Sequence, residues 1–353
     1  MLFNTYEPWK FAFSSASDDL SNLGNGESVD DFAKSKKWGI IGVPFDSTCS
    51  YHHGSRYGPT IIREASFGFE QYNSTFEKIL DGEFYDCGDL NVVHGNCSKT
   101  CDALEDSVNE LIESGIKPII IGGEHSVSIG PIKALAKLEE SKDLSNITVI
   151  HLDSHRDIID EYIGEKDSHA TIMKRVHDLN PKELIQIGIR SFSLEEKEFV
   201  EEQDNISSFL AKDLYDSFEI LLEKFDSIEG KVYVSIDMDA FDPAFAPSVG
   251  NPTPNGLHPV DVENIFDALA SNEKIDVIGF DLVEVASDRL GDVTAVLAAK
   301  MIYDFLTLFA WIFFIFSISF VFICYFQFLS FWVWNNLFFI VQFFNINFEI
   351  ILK

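Results

Sequence analysis

Short runs of β-branched and other apolar residues recur along the middle of the chain, separated by longer stretches whose apolar positions return every three or four residues. The first pattern is that of strands buried on both faces, and the second that of amphipathic helices. Their alternation over residues 37–306 predicts an α/β protein with a mostly parallel sheet flanked by helices. The spacing predicts strands over 38–43, 118–122, 147–152, 184–189, 232–237 and 276–283. It predicts helices over 102–114, 129–140, 194–202, 215–225 and 259–270. No internal repeat interrupts the pattern.

Three of the apolar runs end in acids and histidines: IIIGGEHS (119–126), ITVIHLDSHRD (147–157) and VYVSIDMDAFDP (232–243). In an extended chain, side chains two apart share a face, so Asp153, His155 and Asp157 are expected to project together, as are Asp237 and Asp239. With His125 they make six oxygen and nitrogen ligands without a thiolate, a set suited to hard or borderline divalent ions such as Mn²⁺. Six are too many for one catalytic ion that keeps an open position. They suit two ions roughly 3.5–4 Å apart that share carboxylates and a water. Open α/β sheets bind ligands beyond the carboxyl ends of their strands, where all three segments lie. Acids gathered there without cations would cost heavily in desolvation. The expectation is a binuclear metallohydrolase.

Charge narrows the substrate. The chain has 57 acidic against 26 basic residues, a net charge of −31. That argues against nucleic-acid binding, which needs lysine and arginine patches. It would attract a cationic substrate, although an acidic surface also serves solubility. Five cysteines, an odd number without framework spacing, argue against a disulfide scaffold. Cys97 and Cys101 fit helical neighbours. Residues 1–14 lack the apolar core of a signal peptide, so the expected location is the cytoplasm.

The end of the chain breaks the pattern. Residues 305–348 carry no charge and 15 phenylalanines. The length suffices for one or two membrane-spanning helices of about 20 residues. Glycine is absent, alanine occurs only at Ala310, and flanking positive charge is confined to Lys353. The bias to Phe, Ile, Asn, Trp and Leu is that of AT-rich DNA translated out of frame. Residues 307–353 are thus read as an appended anchor or a shifted frame, and membrane contact is expected only in the first case.

The motifs GGEHS, DSHRD and SIDMDAFDP, in this order, resemble the ureohydrolase family of arginase, agmatinase and guanidinobutyrase, over about residues 2–306. The resemblance implies a three-layer α-β-α catalytic domain over 1–306, two Mn²⁺ per chain, and assembly into trimers or hexamers. By resemblance, the more buried ion would take His125, Asp153, Asp157 and Asp237, and the other His155, Asp153, Asp237 and Asp239. Asp157 would also accept a hydrogen bond from the attacking hydroxide. His169 would act as the proton shuttle to the leaving amine, and Glu284 would hold the guanidinium. YHHGSRYGPTIIREAS (51–66) resembles the family's amino-terminal signature, and APSVGNPTPNGL (246–257) its pocket-wall loop.

Four positions depart from the common pattern. Ser154 stands for alanine and Glu124 for aspartate, while Asn251 and Asn255 stand where threonine and glycine are usual. Around the motifs, His151 would pack behind the site, His52 and His53 lie in the substrate-side loop, Arg156 would form a structural ion pair, and Asp242 opens a turn and, by resemblance, would support the neighbouring metal loop.

The loop 158–169 is rich in acids and lacks the Asn/Ser pattern with which arginase grips an α-carboxylate. A cationic guanidine without a carboxylate, agmatine, is therefore the favoured substrate. Arginine and guanidinobutyrate are alternatives within the family. Outside it stand an inactive, membrane-tethered homologue and a single-zinc deacylase, a class that generally lacks the third aspartate supplied here by Asp157.

Overall fold

A computed structural model describes residues 5–6, 9–15 and 29–310 of the chain. The strands are β1 (Thr5–Tyr6), β2 (Trp38–Gly42), β3 (Tyr72–Asn73), β4 (Lys78–Ile79), β5 (Phe84–Leu90), β6 (Lys117–Ile121), β7 (Ile147–Leu152), β8 (Glu183–Ile189), β9 (Ile206–Leu210), β10 (Gly230–Asp237) and β11 (Ile275–Val283). Nine of them form one sheet in the order β1-β5-β2-β6-β11-β10-β7-β8-β9, while β3 and β4 pair as a separate hairpin. Only β1, at the edge of the large sheet, runs antiparallel to its neighbour. The β-branched runs make these strands because both faces are covered. In β10, Val232, Val234 and Ile236 enter one core and Tyr233 the other.

Two apolar cores, one on each face, give the three layers. One is closed by α2 (Gly58–Ser66), α8 (Glu219–Asp226), α9 (Pro259–Ser271) and α10 (Val293–Phe309). The other is closed by α3 (Cys97–Glu113), α4 (Ile129–Leu138) and α5 (Ile172–Asp178). Helices α1 (Val29–Lys34), α6 (Leu194–Glu201) and α7 (Ala211–Asp216) complete the set. Helix starts follow capping chemistry. Asn96 accepts Lys99 N–H at α3, Ser193 and Glu196 form a capping box at α6, and Asp292 accepts Thr294 N–H at α10.

The six expected strands and five expected helices are present, with ends shifted by a few residues and 215–225 broken at Ser217 into α7 and α8. Three sheet strands lacked an apolar signature, the two-residue β1 together with β5 and β9. β5 (FYDCGDL) carries Asp86 and Asp89, which are buried because both bind the fully buried Arg63 of α2. β9 (ISSFL) is half-buried and polar in its middle. Helix α10 ends at Phe309, three residues beyond the expected boundary at 306. Phe305 stacks on Phe280 at 4.3 Å and meets Trp38 edge-on at 5.0 Å, so the start of the apolar run belongs to the core. Among the described residues no helix is long and apolar enough to cross a membrane. The rest of the tail, 311–353, lies outside the described residues.

The sheet order decides where chemistry gathers. β6, β11, β10 and β7 are consecutive neighbours at its centre, and all four end on the same edge. The segments that follow them carry His125, Glu284, Asp237 with Asp239, and Asp153 to Asp157. Chain stretches up to 159 residues apart thus meet within four strand widths, each about 4.8 Å.

Candidate metal centre

His125 is presented by a tight turn after β6. A Cβ at Gly123 would lie 1.8 Å from Phe45 O, so only glycine lets the chain pass. The imidazole is fully buried. Its Nε2 lies 3.0 Å from Ser235 Oγ, and the Ser235 hydroxyl donates to Asp281 Oδ1 at 2.7 Å. Tyr233 O–H holds the other oxygen of Asp281 at 2.6 Å. A hydroxyl has one hydrogen. Once it goes to Asp281, the serine oxygen can only accept from Nε2–H, so in the neutral ring Nδ1 keeps the lone pair. That atom has no hydrogen-bond partner, yet it lies 3.2 Å from Asp153 Oδ2 and 3.3 Å from both Asp157 Oδ2 and Asp237 Oδ2. Four electron-pair donors facing one another in a buried space fit a cation between them.

The charge balance of these groups points the same way. Burial by itself would lower the His125 pKa, but the three carboxylates hold it well above the ordinary value. Burial and the neighbouring Asp153 push Asp157 up to about 6, and burial with Asp239 and Asp153 raises Asp237 strongly. Asp153 goes the other way, held down by His151 and His125 against its burial. The site calls for positive charge at this point, whether as a proton or as a metal ion.

A second cluster adjoins the first. His155 Nδ1 lies 3.0 Å from Asp239 Oδ2 and 3.5 Å from Asp153 Oδ1, so Asp153 turns one oxygen to each cluster. Burial opposes a proton on His155, yet Asp239 and Asp153 push its pKa up to about 12. His151 lies within ligand range of Asp153 but is not suited to be a ligand. Gln186 Nε2 donates to His151 Nδ1 at 3.2 Å, so Nε2 carries the hydrogen that binds Asp153 Oδ2 at 2.9 Å. Cys49, also nearby, stays a thiol because burial raises its pKa, which leaves the donor set all oxygen and nitrogen.

The six ligand candidates named from the sequence do converge, but strand alternation is not what gathers them. β7 stops at Leu152, and Asp157 sits in the left-handed region at φ 50°. Asp237 caps a single turn, Met238–Ala240, through Asp239 N–H at 2.8 Å, and Asp239 in turn accepts Ser154 N–H at 3.0 Å. Backbone amides of the loops, not the pleat, aim these carboxylates.

A cavity of about 210 Å³ opens on the clusters, lined by His155, Asp157, Asp237, Asp239, His169 and Glu284, with Ser50, Tyr162 and Asn251 around them. Glu284 also has a left-handed backbone, φ 68°, and its Oε1 accepts His125 N–H at 2.8 Å. Strained backbone of this kind costs about 1–3 kcal/mol and concentrates at functional sites. Burial and the nearby Glu124 raise the Glu284 pKa well above the usual value. Burial, joined by the charges of His125 and His155, drives His169 down to about 4, so its imidazole is neutral near pH 7. The Tyr162 ring stands edge-on to it at 5.3 Å.

Several sequence expectations need correction. The acids of the loop 158–169 do not face this cavity: Asp160 pairs with Arg175 at 2.8 Å, and Glu165 and Asp167 line a separate depression. The cavity's negative character comes from Asp157, Asp237, Asp239 and Glu284, and among the described residues no lysine or arginine lines it. Arg156 makes no ion pair among the described residues. It donates to Gln186 and Ser208, both at 3.1 Å, and covers the Phe192 ring. His52 and His53, whose roles the sequence left open, are exposed and are not among the described residues that line the cavity. Asp242, read as a turn former with a supporting role, holds the pocket-wall loop: it accepts Asn255 N–H at 2.7 Å and Gly256 N–H at 3.1 Å, where Asn255 takes φ 63°.

Sequence reasoning missed Arg190. Its guanidinium donates to backbone carbonyls on both the Asp239 turn and the Thr253 loop, at 2.7 and 2.6 Å, tying ligand and pocket wall together. A partner made of carbonyls leaves no mark in sequence. Ser235, inside the third motif, and Asp281, on the strand before Glu284, were missed as well.

Residues 36–307 match the family model described as the arginase family. The chain is 42% identical to a 32.2 kDa protein of Methanothermus fervidus, over 84% of this chain and 97% of that one. It is 38% identical to the N(1)-aminopropylagmatine ureohydrolase of Thermococcus kodakarensis, over 75% and 88%. The crystal structure of agmatine ureohydrolase of Thermoplasma volcanium superposes with a TM-score of 0.68 at 31% identity, covering 82% of this chain and 97% of that one. With its fold and most of its length in agreement, this chain belongs to the arginase family and is a ureohydrolase, an enzyme that hydrolyses guanidino groups.

Proposed function

We propose that the chain hydrolyses agmatine to putrescine and urea with two Mn²⁺ ions. His125, Asp153, Asp157 and Asp237 would hold one ion, and His155, Asp153, Asp237 and Asp239 the other, with Asp153 and Asp237 shared. When bound, two such cations lower the pKa of a shared water and so supply a nucleophile at neutral pH. The remaining steps fall to side chains around the cavity. Glu284, anchored by His125 N–H, pairs with the planar guanidinium and fixes its carbon over the clusters. Asp157 accepts a hydrogen bond from the attacking oxygen and orients it. His169 carries a proton to the nitrogen that leaves as an amine.

The observation that carries the substrate choice is the cavity wall. Among the described residues it holds no lysine or arginine to pair with an α-carboxylate, and His155 is already engaged by Asp239 and Asp153, so arginine would bury its carboxylate unpaired. A second reading is N(1)-aminopropylagmatine, the substrate in the name of the relative from Thermococcus kodakarensis. Urea release measured with added manganese over agmatine, N(1)-aminopropylagmatine, arginine and guanidinobutyrate decides among them. The highest kcat/KM is expected for agmatine, and a higher value for arginine or guanidinobutyrate would refute the assignment. A maximum at N(1)-aminopropylagmatine would keep the reaction and replace the substrate.

A further inference from the structure

Thr48, in the loop after β2, makes three contacts with one oxygen. Its hydroxyl donates to Glu124 Oε1 at 2.5 Å, His169 N–H donates to it at 3.1 Å, and His169 Nδ1 lies 3.2 Å away. Glu124 receives further hydrogens from Thr48 N–H at 2.7 Å and Ser126 O–H at 2.5 Å, so it stands as the acceptor at the end of the chain. With its one hydrogen committed to Glu124, the threonine oxygen can only accept from the ring. Nδ1 therefore carries the imidazole hydrogen, and Nε2 keeps the free lone pair on a ring that lines the cavity.

We propose that Thr48 is a positioning residue that fixes the tautomer and orientation of His169, with Glu124 orienting its hydroxyl. The inference rests on His169 acting as the proton carrier. Hydrolysis adds water across the C–N bond: oxygen goes to the carbon, and one proton must reach the departing nitrogen. Nε2 can take up that proton and release it only if it is the unprotonated nitrogen and faces the substrate. A ring without the Thr48 acceptor exchanges tautomers and rotates, and only part of the population is competent. When Nε2 gains its proton, the Nδ1–H···O–H···carboxylate chain draws positive charge towards Glu124, as the orienting carboxylate does in a catalytic triad.

The test compares Thr48→Val, nearly isosteric but without a hydroxyl, with Thr48→Ser, which keeps one, at saturating manganese. Thr48→Val should lower kcat roughly ten- to a hundredfold while KM, bound manganese and melting temperature stay near wild type. Thr48→Ser should recover kcat to within about threefold. Should the valine variant melt early or lose metal, Thr48→Ala replaces it in the comparison. In a His169→Asn background, Thr48→Val should cause no further loss, because the group it positions is gone. The proposal is overturned if the variant lacking the hydroxyl keeps kcat within twofold, if serine is as impaired as valine, or if the loss persists without His169. Full activity of His169→Asn alone would instead remove the proton-carrier reading beneath it.

Discussion

Ser235→Ala tests whether His125 is preset for metal by its neighbours. In the native arrangement Nε2–H goes to Ser235, whose own hydrogen goes to Asp281, so a neutral ring keeps its lone pair on Nδ1, towards the ion site. Without the hydroxyl, Nε2–H would be a buried donor with no partner, at a cost of about 1–3 kcal/mol. The imidazole escapes that cost by moving its hydrogen to Nδ1, where three carboxylate oxygens lie at 3.2–3.3 Å. A metal ion must then displace that hydrogen. Loss of an orienting partner of this kind weakens metal binding by about 10–100-fold, or about 1.4–2.8 kcal/mol. The expected signature is asymmetric: the metal-free variant melts close to wild type, whereas manganese stabilises it much less. Thermal melts with and without manganese, together with titration against a competing chelator, measure both quantities. Wild-type manganese affinity to within twofold, or equal destabilisation of the metal-free and loaded forms, would refute the tautomer argument.

On the proposed two-ion assignment, Asp239→Ala should remove one manganese ion per chain and abolish urea release with little change in secondary structure. Elemental analysis beside circular dichroism checks this, and full activity would overturn the ligand assignment. Lys117 is 2% exposed, and burial drops its pKa from 10.5 to about 7 despite the Trp38 ring 5.3 Å from its amine. Between those values the unfolded chain binds a proton that the folded chain lacks, so this residue makes stability rise with pH, by at most about 5 kcal/mol at about 1.4 kcal/mol per pKa unit. Lys117→Met should therefore raise stability at pH 7 and flatten the rise towards pH 10 in denaturant titrations. An unchanged slope would refute the burial argument. Phe305→Ala should cost about 3–5 kcal/mol, because the ring packs on Phe280, Trp38 and Phe266. A loss below about 1 kcal/mol would mean that the end of α10 is not core.

Much of this protein was written locally in its sequence. Runs such as ITVIHL and VYVSID read as buried strands because a strand covered on both faces needs apolar residues at every position. The metal-binding residue types follow such runs, because chemistry placed at strand ends is framed by the strands themselves. β5 escaped notice because its acids are paid for in three dimensions by Arg63, some two dozen residues away, and no window of sequence contains both partners. The same holds within the site. The sequence determined which ligands were present and on which strands they hang. Only the tertiary structure decided that β6, β11, β10 and β7 lie side by side, that loop amides and two left-handed backbones aim the carboxylates, and that the acids of 158–167 turn away from the cavity. The reason is physical: burial and periodicity are properties of neighbouring residues, whereas strand order, tautomers and charge depend on atoms brought together from distant parts of the chain.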